Sequence, residues 1–321
     1  IITVLNVLFW MDAPESIDIE KDTTYMFIHA CMQRGWNAFY ASKSSVSIND
    51  GNLCIQAFQF QSFSIGDTLS YQSAPISLSQ REIDACFIRC DPPVDADYVA
   101  QMQMFSQFDD AIFFINHPLG ILRSNEKLCA TPFTDWTPKT LVSKNSDDLI
   151  QFSRAFDRVV LKPMDGFGGQ GIENLKGDDP ELKKSILKIT KNGVNYAILQ
   201  QAVDHTRGDK RILLLDGEPI GAVLRKSENS HLNNFMAGGK PYPADVSEHD
   251  TKIVKAIQPF LKKFGLFFVG IDIVDDYLIE INVTSPTCLQ EINRLSNQHL
   301  QNRVMIFLSQ QLSSRLGDDN V

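Results

Sequence analysis

The sequence lacks the features that mark several large classes of protein. Its longest apolar runs are short and strand-like, as in residues 2–11, and none approaches the roughly 20 apolar residues of a membrane-spanning helix. Basic residues are outnumbered by acidic ones, 30 against 39, which gives a net charge of −9. Because nucleic acids are bound chiefly by lysine and arginine on phosphates, this charge argues against a nucleic-acid partner and against an anionic membrane surface.

Cysteine pairs of the redox or metal-binding type are also missing. The six cysteines are scattered, with no CxxC pair and no cysteine–histidine cluster at zinc spacing. The first residues show no basic segment followed by a cleavage site, so no signal peptide is expected. Unpatterned cysteines in a long chain are typical of a reduced protein, and we predict a cytoplasmic location. The six are Cys31, Cys54, Cys86, Cys90, Cys129 and Cys288.

The residues that are present suffice for several folded domains. The chain has 321 residues, of which 43% are hydrophobic, and no repeat or low-complexity segment interrupts it. Residues 2–11 are typical of a buried parallel strand, and a helix capped by Thr23 or Thr24 and ended by Gly35 should follow. A further strand comes next. This strand–helix–strand order predicts an α/β domain over residues 1–123.

The rest of the chain predicts two more domains. Residues 124–200 should begin with a helix at 124–130 and continue through a linker rich in threonine and proline into strands and a glycine-rich loop. Residues 201–321 contain two hairpin patterns, with turns at residues 216–217 and 275–276. The predicted fold class is therefore α/β (α+β), in three domains.

A lysine and a glycine-rich loop form the first candidate site. Lys162 ends a strand and is followed by glycines at 166, 168, 169 and 171. Glycines let backbone N–H groups approach anionic oxygens, and the lysine adds a positive charge, so the segment fits a phosphate. No GK[ST] closes the loop, so it is not a Walker A motif. A flexible surface turn is the alternative interpretation.

Two carboxylates and a carboxamide form the second candidate site. Glu280 and Asn282 are two residues apart on one strand, so they share a face. Asp272 lies opposite Glu280 only if the connecting loop has an odd length or the hairpin contains a bulge. Hard oxygen ligands of this kind suit Mg²⁺ held together with nucleotide phosphates. An ordinary hairpin with its polar face in water is the alternative.

Four basic residues accompany these two sites in the sequence, one before the first site and three between the two. Forked guanidinium groups match phosphate and developing oxyanion geometry. The alternative is that they form surface salt bridges, which contribute little to stability. The four are Lys127, Lys210, Arg211 and Arg225.

The order and wording of the short motifs resemble a known family. The segments NEKL, KPMDGFGG, GDKR, AGG, GIDI and EINVTSP occur in this order between residues 125 and 286, as in ATP-grasp ligases. EINVTSPTC, with DPP at 91–93 and NHP at 116–118, narrows the resemblance to the prokaryotic glutathione synthetase family. The resemblance covers nearly the whole chain and is weakest between residues 42 and 79.

The resemblance implies an ATP-grasp architecture: an N-terminal parallel α/β domain over 1–123, a central lid domain over 124–200 and a C-terminal antiparallel-sheet domain over 201–321. ATP would lie between two antiparallel sheets. Its implied contacts are Lys127, Lys162, Asp165, Gly166, Gly168, Gly169, Lys210 and the hinge residues Leu199, Gln200, Gln201 and Ala202. Two Mg²⁺ ions, with Mn²⁺ as the other candidate, would be held by Asp272, Glu280 and Asn282.

The remaining implied site residues concern the reacting groups and the other substrates. Those facing the phosphoryl and acyl groups would be Arg211, Arg225 and Asn234. Those holding the peptide or glycine would be Asp12, Arg89, Ser285, Pro286 and Thr287. The implied reaction joins γ-glutamylcysteine to glycine with ATP through an acyl phosphate, giving glutathione, ADP and phosphate. The implied assembly is a homo-oligomer, a homotetramer by resemblance.

One departure from the family pattern keeps alternatives open. The family carries an arginine just before the asparagine at position 234, whereas this sequence has His231, Leu232 and Asn233 there. An ATP-grasp ligase with another acceptor, for example one that glutamylates a peptide or protein, is therefore the main alternative. A non-catalytic nucleotide-binding protein of the same fold is the other. Cys288 is interpreted as a packed or substrate-adjacent thiol, because nothing near it in sequence would lower its pKa.

Overall fold

Three β-sheets divide the chain, and they follow one another along the sequence. The computed structural model describes residues 4–166, 168–227 and 238–318, with side chains as far as residue 315. Within these ranges no helix combines the length and the apolar character needed to cross a bilayer. All six cysteines are free thiols.

The N-terminal layer contains seven strands and three helices. They are β1 (Asn6–Trp10), α1 (Thr23–Gln33), β2 (Asn37–Ala41), β3 (Val46–Asn49), β4 (Asn52–Gln59), β5 (Ile76–Ser79), β6 (Ala85–Ile88), α2 (Ala96–Phe105), β7 (Phe113–Ile115) and α3 (Pro118–Arg123). The strand order is β3-β4-β2-β1-β6-β7, with β5 also paired to β4. Strands β2, β1, β6 and β7 run parallel, and β3, β4 and β5 extend them in antiparallel fashion. The predicted parallel α/β unit is present.

Asp22, and not a threonine, caps the first helix. Its Oδ1 accepts a hydrogen bond from the Tyr25 N–H at 2.8 Å, while Thr23 and Thr24 lie inside the first turn. The prediction of a threonine cap was therefore wrong by one or two residues, because a stronger acceptor stands just upstream. The predicted end of the helix is confirmed, since Gly35 adopts a positive φ of 72° directly after it.

The second sheet, called the lid sheet below, has four strands. Its elements are β8 (Thr140–Ser143), α4 (Ser146–Ser153), β9 (Arg158–Pro163), β10 (Glu173–Lys176), α5 (Leu182–Ile189) and β11 (Ala197–Gln201). The strand order is β10-β9-β11-β8, all antiparallel. Helices α4 and α5 cover one face and close a small core around Leu149, Leu161 and Ile186.

The third sheet, called the C-terminal sheet below, has five antiparallel strands. Its elements are β12 (Asp209–Leu215), β13 (Glu218–Lys226), β14 (Lys240–Pro243), α6 (Glu248–Lys263), β15 (Phe268–Val274), β16 (Tyr277–Asn282), α7 (Leu289–Ser296) and α8 (Leu300–Asp318). The order is β14-β13-β12-β15-β16. Both predicted hairpins are present, with turns at Asp216–Gly217 and Asp275–Asp276.

A bulge in the β15–β16 hairpin sets the register on which the metal-site prediction depended. The turn has only two residues, which on its own would pair Asp272 with Ile279 and turn it to the other face. The pairing instead shifts by one residue between Ile273 and Asp272, so that Asp272 lies directly opposite Glu280. The extra residue in β16 is Ile279. The structure therefore meets the condition that the sequence imposed.

Residues 124–130 form turns and not the start of a helix, so that prediction was wrong. The segment is drawn to the C-terminal sheet instead: Ile281 N–H donates to the Glu126 carbonyl at 3.0 Å. Cys129 and Ala130 pack into the core between this sheet and α6. By packing, residues 124–137 therefore belong with the C-terminal sheet, and the lid sheet begins at β8.

The other face of the C-terminal sheet shares a core with the N-terminal layer. Leu213 and Phe268 of this sheet pack in one cluster with Val7, Phe27 and Val304. Helix α8 thus returns from the end of the chain to cover the N-terminal sheet. The C-terminal sheet is held on both faces, whereas the lid sheet has only its own core.

Candidate active site

A cleft lies between the lid sheet and the C-terminal sheet. The cavity at its centre, called the sheet cavity below, has a volume of about 200 Å³ and is lined from both sides. Lys162 and Gln200 come from the lid sheet, and Arg211, Asp272 and Glu280 come from the C-terminal sheet. Most of the residues predicted to contact ATP, metal and reacting groups are therefore brought to one place.

Lys162 is a buried cation at the lid side of this cavity. It is 6% exposed, and its Nζ donates a 2.8 Å hydrogen bond to Oε1 of Gln200. Gln200 is itself fixed, because its Nε2 donates to Thr140 Oγ1 at 2.9 Å. Burial lowers the pKa of Lys162, while the Glu280 carboxylate across the cleft raises it. No anion of the described residues is bonded directly to this lysine, which suits an anionic ligand.

The glycine-rich loop lies beside Lys127 at the mouth of the cleft. Gly168 and Gly169 adopt positive φ values of 61° and 81°, and both line the sheet cavity. Lys127 Nζ donates to the carbonyl oxygen of Gly166. Asp165 and Gly166 border a further small cavity together with Lys127. Two successive residues in the left-handed conformation bend the backbone sharply. Residues other than glycine rarely adopt this conformation.

The predicted hinge at the end of β11 contributes unevenly to the cleft. Gln200 and Gln201 line the sheet cavity, whereas Leu199 is fully buried in the lid core. Ala202 borders an adjoining opening, and its N–H already donates to the Arg158 carbonyl at 3.0 Å. The hinge therefore borders the cleft at Gln200 and Gln201, and the Gln200 side chain is the one bonded to Lys162.

Two arginines and two aspartates form a buried ionic cluster on the C-terminal sheet. Arg211 donates to both oxygens of Asp272, with Nη2 at 2.9 Å from Oδ2. Arg225 Nη2 lies 2.5 Å from Asp209 Oδ2 and 3.0 Å from Asp272 Oδ1. Burial alone would raise the pKa of Asp272, but the two guanidinium groups hold it at about 2. Burial raises the pKa of Asp209 to about 6 in spite of Arg225.

Asp209 is a cleft residue that the sequence analysis missed. It stands two positions before Arg211 on β12, so both side chains face the cleft. Lys210, between them, lies on the opposite face, where its Nζ bonds Asp250 Oδ2 at 2.7 Å under α6. The structure thus does not bring Lys210 to the site with the other predicted ATP contacts. The alternation of side chains along β12 could have indicated that Asp209 faces the cleft and that Lys210 faces away from it.

Glu280 and Asn282 complete the predicted metal set beside Asp272. No donor in the described ranges reaches the Glu280 carboxylate, which lines the sheet cavity. Asn282 Nδ2 donates to the Gly270 carbonyl at 3.0 Å and faces Asp272 Oδ2 at 3.4 Å. Those ranges hold no cluster of three His, Cys, Asp or Glu side chains for a metal. One unbonded carboxylate beside an amide oxygen fits a hard cation whose remaining ligands are phosphate oxygens.

A second cavity of about 350 Å³ adjoins the first and is called the loop cavity below. Arg211, Arg225 and Asn282 line both cavities, so the two meet at the ionic cluster. The loop cavity is also lined by residues 284–287 and by the loop before α1. Ser285, Pro286 and Thr287, the predicted substrate contacts, are among its lining residues.

Arg89 and Asp12 support the loop cavity from behind. Arg89 is 5% exposed, and its guanidinium donates to Thr24 Oγ1 at 3.0 Å and to the Pro286 carbonyl at 2.9 Å. Asp12 Oδ2 accepts from the Asp91 N–H at 2.7 Å. Both residues line a smaller adjoining cavity. The hydrogen bonds of Arg89 and Asp12 hold the backbone at Pro286 and Asp91, and they do not reach into the loop cavity.

Glu126 is a second residue that the sequence analysis missed. Its Oε1 accepts from the N–H groups of Val283 and Thr284 at 2.8 and 3.0 Å, and from Thr284 Oγ1 at 2.9 Å. It therefore fixes the start of the loop that carries Ser285. The partners are about 157 residues away along the chain, so no local pattern could have shown this contact.

Cys288 and Asn234 are the remaining residues that the sequence analysis singled out. Cys288 is 1% exposed at the start of α7, and burial raises its pKa, although Arg211 and Arg225 act in the opposite direction. A buried thiol with a raised pKa is a poor nucleophile, as expected for a packed group. Asn234 and the altered segment before it lie outside the described residues.

Comparison with known families agrees with this geometry. The family model "Prokaryotic glutathione synthetase, N-terminal domain" matches residues 5–122, and "Prokaryotic glutathione synthetase, ATP-grasp domain" matches residues 126–297. The chain belongs to the prokaryotic glutathione synthetase family. The second match begins at Glu126 and ends just after α7, so it contains all the residues that line the sheet cavity. The loop cavity is lined by residues of both matches.

Curated relatives in this family match nearly the whole chain. The glutathione synthetase of Shewanella oneidensis is 35% identical over 293 residues, covering 88% of this chain and 91% of the relative. The glutathione synthetase of Vibrio vulnificus is 32% identical over 320 residues, with 95% and 98% covered.

Solved structures confirm the predicted ATP-grasp fold. A D-cycloserine synthetase aligns with a TM-score of 0.66 at 14% identity, covering 95% of this chain and 99% of the other. A RiPP-associated ATP-grasp ligase of Chryseobacterium gregarium, solved with ADP and a leader and core peptide, aligns with a TM-score of 0.63 at 15% identity, covering 98% and 97%. At such low identity these likenesses show the fold alone.

Proposed function

We propose that this chain is an ATP-dependent ligase that joins γ-glutamylcysteine to glycine, giving glutathione, ADP and phosphate. The observation that carries the proposal is the shared wall of the two cavities, where Arg211 and Arg225 border both. A nucleotide in the sheet cavity and a carboxylate substrate in the loop cavity would meet at these two guanidinium groups. Membership of the glutathione synthetase family supplies the identity of the substrates.

The sheet cavity would hold ATP. Lys162 and Lys127 would neutralise its phosphates, with the loop Asp165, Gly166, Gly168 and Gly169 closing over them. Gln200 and Gln201 would face the base and ribose at the end of β11. Lys210 has no place in this arrangement, because it is bonded to Asp250 on the other face.

Mg²⁺ would be held by Glu280, Asn282 and Asp272 together with the phosphates, as two ions that Mn²⁺ could replace. When bound, the metal supplies a Lewis acid that neutralises charge on the phosphate oxygens. The unbonded carboxylate of Glu280 makes it the strongest of the three ligands. Asp272 has both oxygens engaged by arginines, so its charge is shared between Arg211, Arg225 and the metal.

The reaction proceeds in two steps at the arginine pair. The cysteinyl carboxylate of the donor attacks the γ-phosphorus and releases ADP, forming an acyl phosphate. The glycine amine then attacks the acyl carbon, phosphate leaves, and the amine gives up a proton. Arg211 and Arg225 are pre-set by their aspartates to face the negative charge on the transferring group. No protein nucleophile is needed, in keeping with the buried state of Cys288.

A cytoplasmic location and a homotetramer belong to the same proposal and are supported by the family resemblance. Six free cysteines accord with a reducing compartment. Light scattering after gel filtration would test the assembly, with a mass near four times 36.1 kDa expected.

The function is tested by phosphate release from Mg-ATP with γ-glutamylcysteine and glycine supplied together and each omitted in turn. Release that needs both, with glutathione identified by mass spectrometry, supports the proposal. Release with γ-glutamylcysteine and a different amine, but not glycine, would identify a ligase with another acceptor. ATP binding without turnover with any acceptor would favour a non-catalytic nucleotide-binding protein.

A further inference from the structure

Asn125 connects the glycine-rich loop with the segment that carries Lys127. Its Nδ2 donates to the Met164 carbonyl at 3.1 Å, and its Oδ1 accepts from the N–H groups of Lys127 and Leu128, each at 3.1 Å. Met164 lies between Lys162 and the glycine-rich loop. One side chain is therefore bonded on both sides of the proposed phosphate site.

The segment around Asn125 is fixed to the C-terminal sheet. Oε1 of the next residue, Glu126, accepts from the N–H groups of Val283 and Thr284 at 2.8 and 3.0 Å. The Glu126 carbonyl accepts from the Ile281 N–H at 3.0 Å. The side chain of Asn125 therefore extends from a fixed point of the C-terminal wall to the lid.

The start of the glycine-rich loop is held from this side by two side-chain hydrogen bonds. Asn125 donates to the carbonyl of Met164, and Lys127 donates to the carbonyl of Gly166. The same stretch, residues 164–166, lines a cavity of about 150 Å³ together with four apolar residues of the N-terminal layer: Pro92, Val94, Ile121 and Leu122. Space is therefore left between the loop and that layer, so the two hydrogen bonds matter for its position.

The loop is folded closely on itself, so that a shift at its start affects the rest. A Cβ added to Gly166 would lie 2.6 Å from Cγ of Pro163 and 2.8 Å from the Gln170 carbonyl oxygen. Only glycine permits so close an approach of the backbone. We therefore expect a displacement of the Met164 carbonyl to reach the glycines of the loop that line the sheet cavity.

We propose that Asn125 is a positioning residue of the nucleotide site, which sets the distance between Lys127 and the glycine-rich loop. The inference rests on the proposed function and deepens it, because Lys127 and the loop are the groups proposed to receive the ATP phosphates. Asn125 acts through these two groups and is not itself a contact of the nucleotide. Groups that are held in place before binding lose less freedom on binding, so loss of Asn125 weakens ATP binding.

Two substitutions of Asn125 separate its two kinds of hydrogen bond. Asn125→Ser keeps an oxygen that can accept from the N–H groups of residues 127 and 128, but its side chain is too short to reach the Met164 carbonyl. Asn125→Ala keeps neither bond. Kd for Mg-ATP, measured by calorimetry, should rise about fivefold in the serine variant and further in the alanine variant. Kd for γ-glutamylcysteine should not change. An unchanged Kd for Mg-ATP in both variants would overturn the inference.

Asn145→Ser is the matched control. Asn145 precedes α4 on the lid, and its Oδ1 accepts from the N–H groups of Asp147 and Asp148, which is the same spacing along the chain as at Asn125. Like Asn125 it is exposed, and it lines neither the sheet cavity nor the loop cavity. Kd for Mg-ATP should keep its wild-type value in this variant. Equal rises in Asn145→Ser and Asn125→Ser would contradict a specific role of Asn125.

Hydrogen exchange of the protein without ligand gives a readout that does not depend on ATP. Peptides that contain residues 164–166 should exchange several-fold faster in Asn125→Ser than in the wild type, because a hydrogen bond that holds this stretch is lost. Peptides of α4 should exchange at the wild-type rate. Unchanged exchange at residues 164–166 would show that Asn125 does not hold the loop.

A double variant tests whether Asn125 acts through Lys127. In a Lys127→Met background, Asn125→Ser should raise Kd for Mg-ATP by less than it does alone, since one of the two groups that it positions is gone. The full fivefold rise in that background would contradict the joint role.

The inference and the proposed function can fail separately. A wild-type protein that binds Mg-ATP but does not turn over γ-glutamylcysteine and glycine would contradict the proposed function, and calorimetry of the Asn125 variants would still decide the inference. Normal turnover with equal Kd for Mg-ATP in the wild type and the Asn125 variants would contradict the inference alone. A wild-type protein that does not bind Mg-ATP would overturn both.

Discussion

The lid sheet and the C-terminal sheet enclose the same cleft but are built in different ways. The lid sheet presents one buried cation, Lys162, bonded to a neutral amide. The C-terminal sheet presents four ionised side chains that neutralise one another: Asp209, Arg211, Arg225 and Asp272. The charge of Lys162 is therefore unbalanced without a ligand, whereas the four charges of the cluster on the other wall balance one another, and Glu280 is the carboxylate that stands outside that cluster.

The two sheets also differ in the apolar core that holds them, which is smaller for the lid sheet. The buried core of the lid sheet consists of seven residues, all between positions 149 and 199. The C-terminal sheet packs on α6 with one face and on the N-terminal layer with the other. Local opening follows the amount of buried apolar contact, so the lid sheet should move as a unit against a fixed C-terminal wall. The ligand's charge would then complete the movable wall, and the fixed wall would set the geometry of the reaction.

Glu280→Gln should have the largest effect, because it removes the unbonded carboxylate of the fixed wall. Turnover should fall by more than about 100-fold, since even residues behind metal ligands change activity about 10- to 100-fold. The melting temperature should stay within a few degrees, because the Glu280 carboxylate accepts no hydrogen bond from the described residues. Steady-state kinetics and circular dichroism would show both. Glu181→Gln, exposed on the lid, is the control, and near-normal turnover of Glu280→Gln would remove the metal assignment.

Asp272→Asn tests how much the ionic cluster of the C-terminal wall contributes to the free energy of unfolding. It leaves Arg211 and part of Arg225 without an anion in a buried place, which should lower the free energy of unfolding by about 3 kcal/mol. Urea titration would measure the loss. A change below about 1 kcal/mol would mean that the ionic cluster is not the framework of the C-terminal wall.

Lys162→Met is the counterpart on the lid sheet. The free energy of unfolding should stay the same or rise, because a desolvated cation is replaced by an apolar side chain of similar length. KM for ATP should rise about tenfold or more, since a charge-assisted contact to phosphate is lost. A large loss of stability with unchanged KM for ATP would reverse the contrast between the walls.

Gly168→Ala should have the smallest effect, confined to the mouth of the cleft. A Cβ at a φ of 61° costs about 1 kcal/mol or more, so KM for ATP should rise a few-fold while KM for γ-glutamylcysteine changes less. Gly66→Ala is a matched control. Gly66 also has a positive φ, of 101°, and a Cβ added there would meet no atom within 4 Å. Equal changes in KM for ATP in the two variants would show that the loop does not act on the nucleotide.

Much of this site could be predicted because it depends on short-range patterns. Strand alternation placed Glu280 and Asn282 on one face, and the register rule showed that Asp272 could join them only through a bulge, which the structure contains. The same alternation rule contradicts a joint role for Lys210 and Arg211, which are neighbours on one strand. Applying it strictly would have replaced Lys210 by Asp209.

The remainder depended on contacts between distant parts of the chain. Residues 124–130 have a helix-like start, but pairing with β16 draws them into turns. Glu126 finds its partners beyond position 280, and Asn125 finds its acceptor at Met164. Tertiary packing decided these cases. The cap of the first helix is different, because the local preference for aspartate over threonine would have favoured Asp22.

The central claim, transfer of phosphate to the donor carboxylate, is tested most directly with γ-glutamylcysteine carrying ¹⁸O in both oxygens of its cysteinyl carboxylate. Mass spectrometry of the products from Mg-ATP and glycine would locate the label. The account predicts one ¹⁸O in the released phosphate for each glutathione formed, and one in the new amide carbonyl. Glutathione formed with unlabelled phosphate would contradict it.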